Sequence, residues 1–379
     1  MIKNLKAAAV RIKKAIKKKE NIILYGDADF DGVSSVIIIK EAIRNLGGKV
    51  AEVYFPDRET EGYGVNEEAL QYLKNKVPAL MIVMDCGIGN FEEMKQAKKM
   101  GLEVIIVDHH KILKKLPVAS IIVNPKQKGD TYPFKDFAAA GVVFKLAEAL
   151  LGKKMTLALR KDLLELTAVA TIADMMPQEE DNLDIIIDGL DALKSTERPA
   201  LRVFWELIPF DAEEVRQLVQ KIISASHAGG TKNHLNEAYL LLTAPSKEKA
   251  KVLAEELIEK SKFRQSLIQD IAQEIEDRVS RKTKDPIIFE GSAEWPVLML
   301  GPAASRVCNN QKKPVFLYSK KDKDSQGAIR TPKGVDGVKA LMHCSKFLMT
   351  YGGHAQAAGF RIDNENLDEF KDCLMEYFG

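Results

Sequence analysis

From Asn21 onward, short runs of β-type apolar residues alternate with amphipathic helical stretches: Ile22–Tyr25, Val50–Tyr54, Ala79–Met84, Val104–Val107 and Ile121–Val123. Near-continuous Ile, Val and Leu with helices in between is the pattern of strands buried on both faces of a parallel sheet, because crossover helices cover such a sheet on both sides. The expected fold class is therefore α/β. Beyond Asp136 the pattern turns helical, with Ala138–Leu151, Met155–Asp174 and Ile185–Leu193 as the clearest segments. Ser246 to Lys282 contains no Pro or Gly and spaces Val252, Leu257, Phe263, Leu267, Ile271 and Ile275 as one long helix or a helix pair. After Asp285 the alternation resumes on a smaller scale: Val297–Leu300, Pro314–Tyr318, Gln326–Thr331, a helix through Val338–Met349 and a last helix from Asn366. The expected organisation is an α/β domain at 1–195, a helical connector at 196–285 and a second, smaller α/β domain at 286–379.

At 379 residues the chain has room for two domains, and 46% hydrophobic against 29% charged residues describes a globular protein with a sizeable core. The apolar runs fall well short of the ~18 residues of a membrane span, and no signal-peptide core follows Met1, so the expectation is a cytoplasmic protein with no membrane partner. Cys86, Cys308, Cys344 and Cys373 form no CxxC pair and are expected as reduced, buried thiols. The net charge of +2 excludes a partner argument from total charge, but its distribution is uneven: Met1 to Lys19 holds eight basic residues and no acid, with Leu5, Ala9, Ile12 and Ile16 at helical spacing. Such a helix suits a phosphate backbone; a solvated face is the alternative.

The densest chemistry is Gly26-Asp27-Ala28-Asp29-Phe30-Asp31-Gly32, after one expected strand and before an expected helix. Three alternating carboxylates converge only if something positive offsets their repulsion, and at the carboxyl end of a strand a divalent cation is the economical candidate; an acidic loop with N-capping roles is the alternative. Two more strands end alike, Met81–Met84 before Asp85 and Val104–Val107 before Asp108-His109-His110, so all these groups can face one crevice. Asp174 closes a run of small and apolar residues, as a buried helix cap or as a further ligand. Carboxylate and imidazole donors without thiolate favour Mn²⁺ or Mg²⁺ over zinc, and so many carboxylates suggest two ions activating water for attack at phosphorus.

Asp27-Ala-Asp29-Phe-Asp31-Gly, Asp85, Asp108-His109-His110 and Asp174 resemble, in order, the four motifs of the DHH phosphoesterase superfamily. Glu61-Gly-Tyr-Gly64-Val-Asn66, Val123-Asn-Pro125, Ala140–Lys145 and Thr171–Asp174 are similar to the RecJ exonuclease branch, as is the connector around Lys260 to Gln265. Gly352-Gly353-His354, with Ala357-Ala358-Gly359 after it, resembles the DHH-associated domain. The resemblance implies two α/β domains, a larger parallel-sheet DHH domain and a smaller DHH-associated one, joined by a long helical connector with a metal cleft between them. It also implies a manganese-dependent nuclease that cuts single-stranded DNA or RNA from an end and releases nucleoside monophosphates. Asp27, Asp29, Asp31, Asp85, His109 and Asp174 would then be metal ligands. Asp108 would orient a histidine, and His110 would touch the phosphate or assist the leaving group. Gly352, Gly353 and His354 would hold substrate phosphate, with Arg306 and Arg330 nearby.

Departures from the family pattern are Asp27, or Tyr25 if the register is read two residues earlier, where many members begin the first motif with His, and Asn182-Leu183 where the branch commonly has Asn-Arg. The segment Ser224–Asn233 is only loosely like the branch's Arg- and Gly-containing loop, and no residues are expected for its oligonucleotide-binding domain. Two other functions fit the same motifs: a phosphoesterase for short oligonucleotides or bisphosphorylated nucleotides, and a scaffold for replication or repair proteins. Hydrolysis of a long strand against that of a dinucleotide separates the nuclease from the small-substrate phosphoesterase.

Overall fold

A computed structural model describes residues 1–112, 115–207, 214–280 and 285–379, with only the backbone at Glu214 and His354. It divides into two compact units, Met1–Ser261 and Lys262–Gly379.

The first unit is built on the expected parallel sheet. Its strands are β1 (Asn21–Gly26), β2 (Glu52–Tyr54), β3 (Ala79–Met84), β4 (Leu102–Val107) and β5 (Ile121–Val123), in the order β2-β1-β3-β4-β5. Both faces are covered. On one side α1 (Leu5–Lys18), α2 (Phe30–Asn45), α5 (Ala139–Leu151) and α6 (Leu157–Ala173) close the larger core over Leu24, Ile82, Ile105 and Val123; on the other α3 (Glu67–Leu73) and α4 (Phe91–Lys99) pack over Ile23, Met81, Val83 and Ile106. Every residue of β3 is buried, which is why its sequence shows no alternation. α7 (Glu180–Lys194) lies on α6 so closely that a Cβ at Gly189 would stand 2.4 Å from Leu164 O. The unit continues through α8 (Pro199–Glu206), α9 (Glu214–His227), the two-residue strands β6 (Thr231–Lys232) and β7 (Leu235–Asn236), and α10 (Glu237–Leu242). Residues 196–261, expected as connector, therefore belong to the first unit, and the division falls within α11 (Lys247–Val279), a single helix of 33 residues.

The second unit carries β8 (Ile288–Ser292), α12 (Val297–Gln311), β9 (Val315–Lys320), β10 (Asp324–Arg330), α13 (Gly337–His343), β11 (Leu348–His354), β12 (Ala357–Asp363) and α14 (Leu367–Phe378). Its sheet runs β11-β12-β10-β9-β8, and only β8 and β9 are parallel. The end of α11 and α12 cover one face; α13 and α14 cover the other.

Three local expectations are corrected here. Val297–Leu300 is the first turn of α12 rather than a strand, an ambiguity that a four-residue apolar run cannot resolve by period. The helix expected to reach Met349 ends at His343, and Leu348–His354 is an edge strand. Cys344 and Cys373 are not free thiols but a disulfide between the end of α13 and α14, whereas Cys86 and Cys308 are free and buried.

Candidate metal centre

The parallel register makes the site. Gly26, Met84, Val107 and Val123 are mutual partners across β1, β3, β4 and β5, so the next residues, Asp27, Asp85, Asp108 and Asn124, leave the sheet on one level. Backbone bonds continue one step past the strands: Asp27 N–H donates to Met84 O (3.3 Å), Asp85 N–H to Val107 O (3.1 Å) and Asp108 N–H to Val123 O (3.0 Å). Asp85 then turns with φ 61°, a left-handed conformation that Asp tolerates better than most side chains.

The first turn of α2 brings two further acids. Asp29 caps the helix, accepting the Gly32 N–H at 3.0 Å. Asp31 reaches across to α5, whose own cap position is Ala138, and accepts the N–H groups of Ala139 and Ala140 at 2.7 and 2.8 Å. One carboxylate thus serves another helix's free donors and dipole. This turn sits tightly on the strand end, since a Cβ at Gly32 would be 2.3 Å from Asp27 O. Asp174 is the C-cap of α6, which terminates through left-handed Met175.

The side chains of Asp27, Asp29 and Asp85, of Asp31, His109 and Asp174, and of Asp85, His109 and His110 form three overlapping groups, each with ligand atoms within 4.8 Å of one another. All six residues expected as ligands come together. His109 Nε2 lies 3.3 Å from Asp85 Oδ1 and 3.5 Å from Asp174 Oδ2, and these three atoms are buried without a hydrogen-bond partner. The other ring nitrogen, Nδ1, lies 2.8 Å from Phe137 O, which can only accept. Nδ1 therefore carries the proton and Nε2 turns its lone pair to the carboxylates. Three buried acceptors pointing at one another fit a divalent cation, in whose absence a carboxyl proton takes the place.

The electrostatics agree. Burial, with Asp174 and Asp29 beside it, pushes Asp31 well above the usual carboxylate range, and burial with Asp31, Asp29 and Asp27 does the same to Asp85. Burial and Asp29 raise Asp174 to about 7. Burial and the His110 charge lower His109 to about 4, keeping it neutral and ligand-competent. Asp108 behaves differently: burial alone would raise it, but the hydrogen bond and charge of His110 hold it down at about 2. Its Oδ1 accepts from the N–H groups of His109 (2.7 Å) and His110 (3.0 Å) and from His110 Nδ1 (2.8 Å), and its Oδ2 from Ile88 N–H (3.1 Å). With its oxygens so engaged, Asp108 orients the histidines. Burial works against protonation of His110, but the Asp108 bond outweighs it and raises its pKa.

Two residues not expected among the site residues enter it from the loop between β2 and α3, Arg58 and the tyrosine of the Glu61–Asn66 stretch. Arg58 grips Asp27 and also meets Asp29 at 3.0 Å. Tyr63 donates its hydroxyl to Asp85 O (3.1 Å) beside His110 Nδ1 (3.4 Å). The loop is anchored by Tyr25 OH on Gly64 O (2.8 Å) and by Phe55 N–H on His234 O (2.9 Å).

The remaining expected residues lie in the second unit. Arg306 is exposed on α12. Arg330, at the end of β10, donates Nε to Ser305 Oγ (3.0 Å) and Nη1 to Ile329 O (2.8 Å), and burial lowers its pKa. Register puts Arg330, Ala357 and His354 on one level across β10, β12 and β11. Gly353, at φ 135°, would set a Cβ 2.5 Å from Ala357 O, so the hairpin itself requires glycine there; Gly352 has open space. The side chain of His354 lies outside the described part of the structure.

A family model described as the DHH family, N-terminal domain, matches residues 21–171, and one for the DHHA1 domain matches 284–379. The chain thus carries a DHH domain followed by a DHHA1 domain. Among curated relatives, the single-stranded-DNA-specific exonuclease RecJ of Bacillus subtilis is 34% identical over 99% of this chain and 48% of its own length; that of Thermus thermophilus is 29% identical over 99% and 54%. The DHH chain thus spans about half the length of these relatives. A crystal structure of exonuclease RecJ bound to manganese superposes with a TM-score of 0.84 at 28% identity, covering 100% of this chain and 94% of that one. The crystal structure of Thermus thermophilus RecJ in complex with Mn²⁺ gives the same score, 0.84, at 26% identity over 99% and 55%. No described helix is long and apolar enough to cross a membrane.

Proposed function

We propose that this DHH protein is a metal-dependent phosphodiesterase that degrades single-stranded nucleic acid from an end, with DNA as the favoured substrate. The observation that carries the reading is the buried trio Asp85 Oδ1, His109 Nε2 and Asp174 Oδ2, acceptors that need a cation, or in its absence a proton, to coexist. Asp27, Asp29, Asp31, Asp85, His109 and Asp174 would hold two ions, Mn²⁺ or Mg²⁺. When bound, they supply an activated water and neutralise charge developing at phosphorus. The chain's own groups do the rest. Phe137 O fixes the His109 tautomer, Asp108 orients His110, and His110, with its raised affinity for a proton, stands ready to protonate the leaving oxygen. Arg58 and Tyr63 border the position a phosphate would take. In the second unit, Arg330, which makes no ion pair among the described residues, and the open face at Gly352 would take a substrate phosphate.

The relatives' names support DNA and an exonucleolytic mode. RNA as substrate, mononucleotide products, replication or repair partners and a cytoplasmic site of action belong to the same proposal. The test is product analysis on 5′- and 3′-labelled single strands, DNA and RNA, with Mn²⁺ and with Mg²⁺. Stepwise release of mononucleotides from a long DNA strand is expected. Turnover confined to dinucleotides would favour the short-oligonucleotide reading, and no metal-dependent hydrolysis would remove both.

A further inference from the structure

α1 is sharply two-faced. Leu5, Ala8, Ala9, Ile12 and Ala15 are buried towards α5 and β5, while Lys6, Lys13, Lys14, Lys17 and Lys18 face outward. Arg11 is committed to Glu20 (2.6 Å) and Glu103 (2.7 Å). The five outward lysines make no ion pair among the described residues, and Lys13 with Lys17, and Lys14 with Lys18, repel across one helical turn. Lys17 and Lys18 complement the dipole at the carboxyl end of the helix, but clustering all five lysines on one face costs this repulsion.

The helix is also fixed in direction. At its start Asn4 Nδ2 donates to Ile122 O (2.9 Å) and Lys3 Nζ to Lys128 O (2.9 Å); further on, Lys13 Nζ donates to Ala149 O (3.3 Å). α1 therefore begins beside the carboxyl end of β5, the edge that carries the acids, and leads away for about 21 Å. Lys126, whose charge bears on both His109 and Asp174, stands at the near end of this path. Lys126, paired with Asp136 at 3.3 Å, and then Lys128 and Lys3, the latter donating its backbone N–H to Asp130 at 2.6 Å, lie between the metal centre and the unpaired lysine face.

We propose that the lysine face of α1 is a second, sequence-independent contact for the phosphate backbone, holding the part of the nucleic acid that has not yet reached the metal centre. This rests on the nuclease reading above and adds the path of the strand. Point charges on flexible stems contact phosphates without reading bases.

The test compares K13Q/K14Q/K17Q with K74Q/K98Q/K99Q, which removes equal charge from α4 and the turn after α3, on the other face of the sheet. Binding of a labelled strand of about 20 nucleotides, longer than one module's usual reach, is followed against salt in the D85N background so that the strand stays intact. The α1 variant should lower the slope of log affinity against log salt by ~0.7 per lost contact, roughly 2 in all. In the wild-type background, dinucleotide hydrolysis should be unchanged. An unaltered slope, an equal loss in the control, or loss of an acidic peptide's binding without loss of the strand would overturn the proposal. Failure of the nuclease reading looks different: neither substrate is cut, whatever the salt slopes show.

Discussion

Asp85 and Asp174 are costly to the fold in the absence of a cation, since Asp85 is buried and Asp174 half-buried among like charges. D85N and D174N should each lose at least ~10³-fold in turnover, several kcal/mol of transition-state stabilisation, yet melt no lower than wild type in chelator; wild-type-like hydrolysis in either would remove the metal centre. Asn keeps the shape and tolerates the left-handed turn at Asp85. The two histidines should separate. H109A should weaken Mn²⁺ binding by calorimetry, because its Nε2 faces the acceptors, whereas H110A should lower turnover with metal affinity kept. The acids and histidines were legible because each follows an apolar run at a strand end. Arg58 was not, because it is a lone cation between Asp57 and Glu59 in a loop without period, and its partner Asp27 is 31 positions away.

Among elements, the first turn of α2 governs the geometry, and Gly32 is its tightest point. G32A would press a methyl into the Asp27 backbone, which cannot rotate aside. We expect a loss of about 1–3 kcal/mol in stability and a larger proportional loss in activity, read by denaturant unfolding alongside hydrolysis; a variant with full activity would show that this contact does not set the position of Asp27. Asp31 links the same turn to α5, so the acid cluster and the packing of two helices rise or fall together. Periodicity disclosed α5, α6 and α11 almost to their ends, because each has an extended apolar face. It missed β6 and β7, since two-residue strands have no period to show, and it ran α13 on into β11, where Met349 and Tyr351 are exposed and the chain pairs instead with β12.

For the whole molecule the acid cluster predicts an unusual pH response. Asp174 titrates near 7 in the folded chain against 3.8 for a free carboxyl. A raised folded value means that its stabilising proton is fully held below about 3.8 and lost as pH rises through about 7. In chelator the melting temperature should therefore fall across that interval from this group, and saturating Mn²⁺ should reverse the trend at the upper end; a chelated melting profile that rises through pH 7 and ignores Mn²⁺ would count against it. In the second unit, H354A should raise KM without changing Mn²⁺ affinity, and unaltered strand affinity and turnover would leave that histidine a structural role. The two-unit plan was legible from the return of strand and helix alternation after Asp285, whereas the division within α11 was not, because one uninterrupted helix hides it. The common level at which β1, β3 and β4 end has one more consequence. β3 is apolar at all six positions and buried on both faces, so a slip by one residue would exchange Leu80, Ile82 and Met84 with Ala79, Met81 and Val83 between the two cores. The same slip would send Asp85 to the far side of the sheet. Size alone, not polarity, holds this strand in alignment, so a single inserted residue in β3 should both lower the melting temperature through misfit packing and abolish hydrolysis.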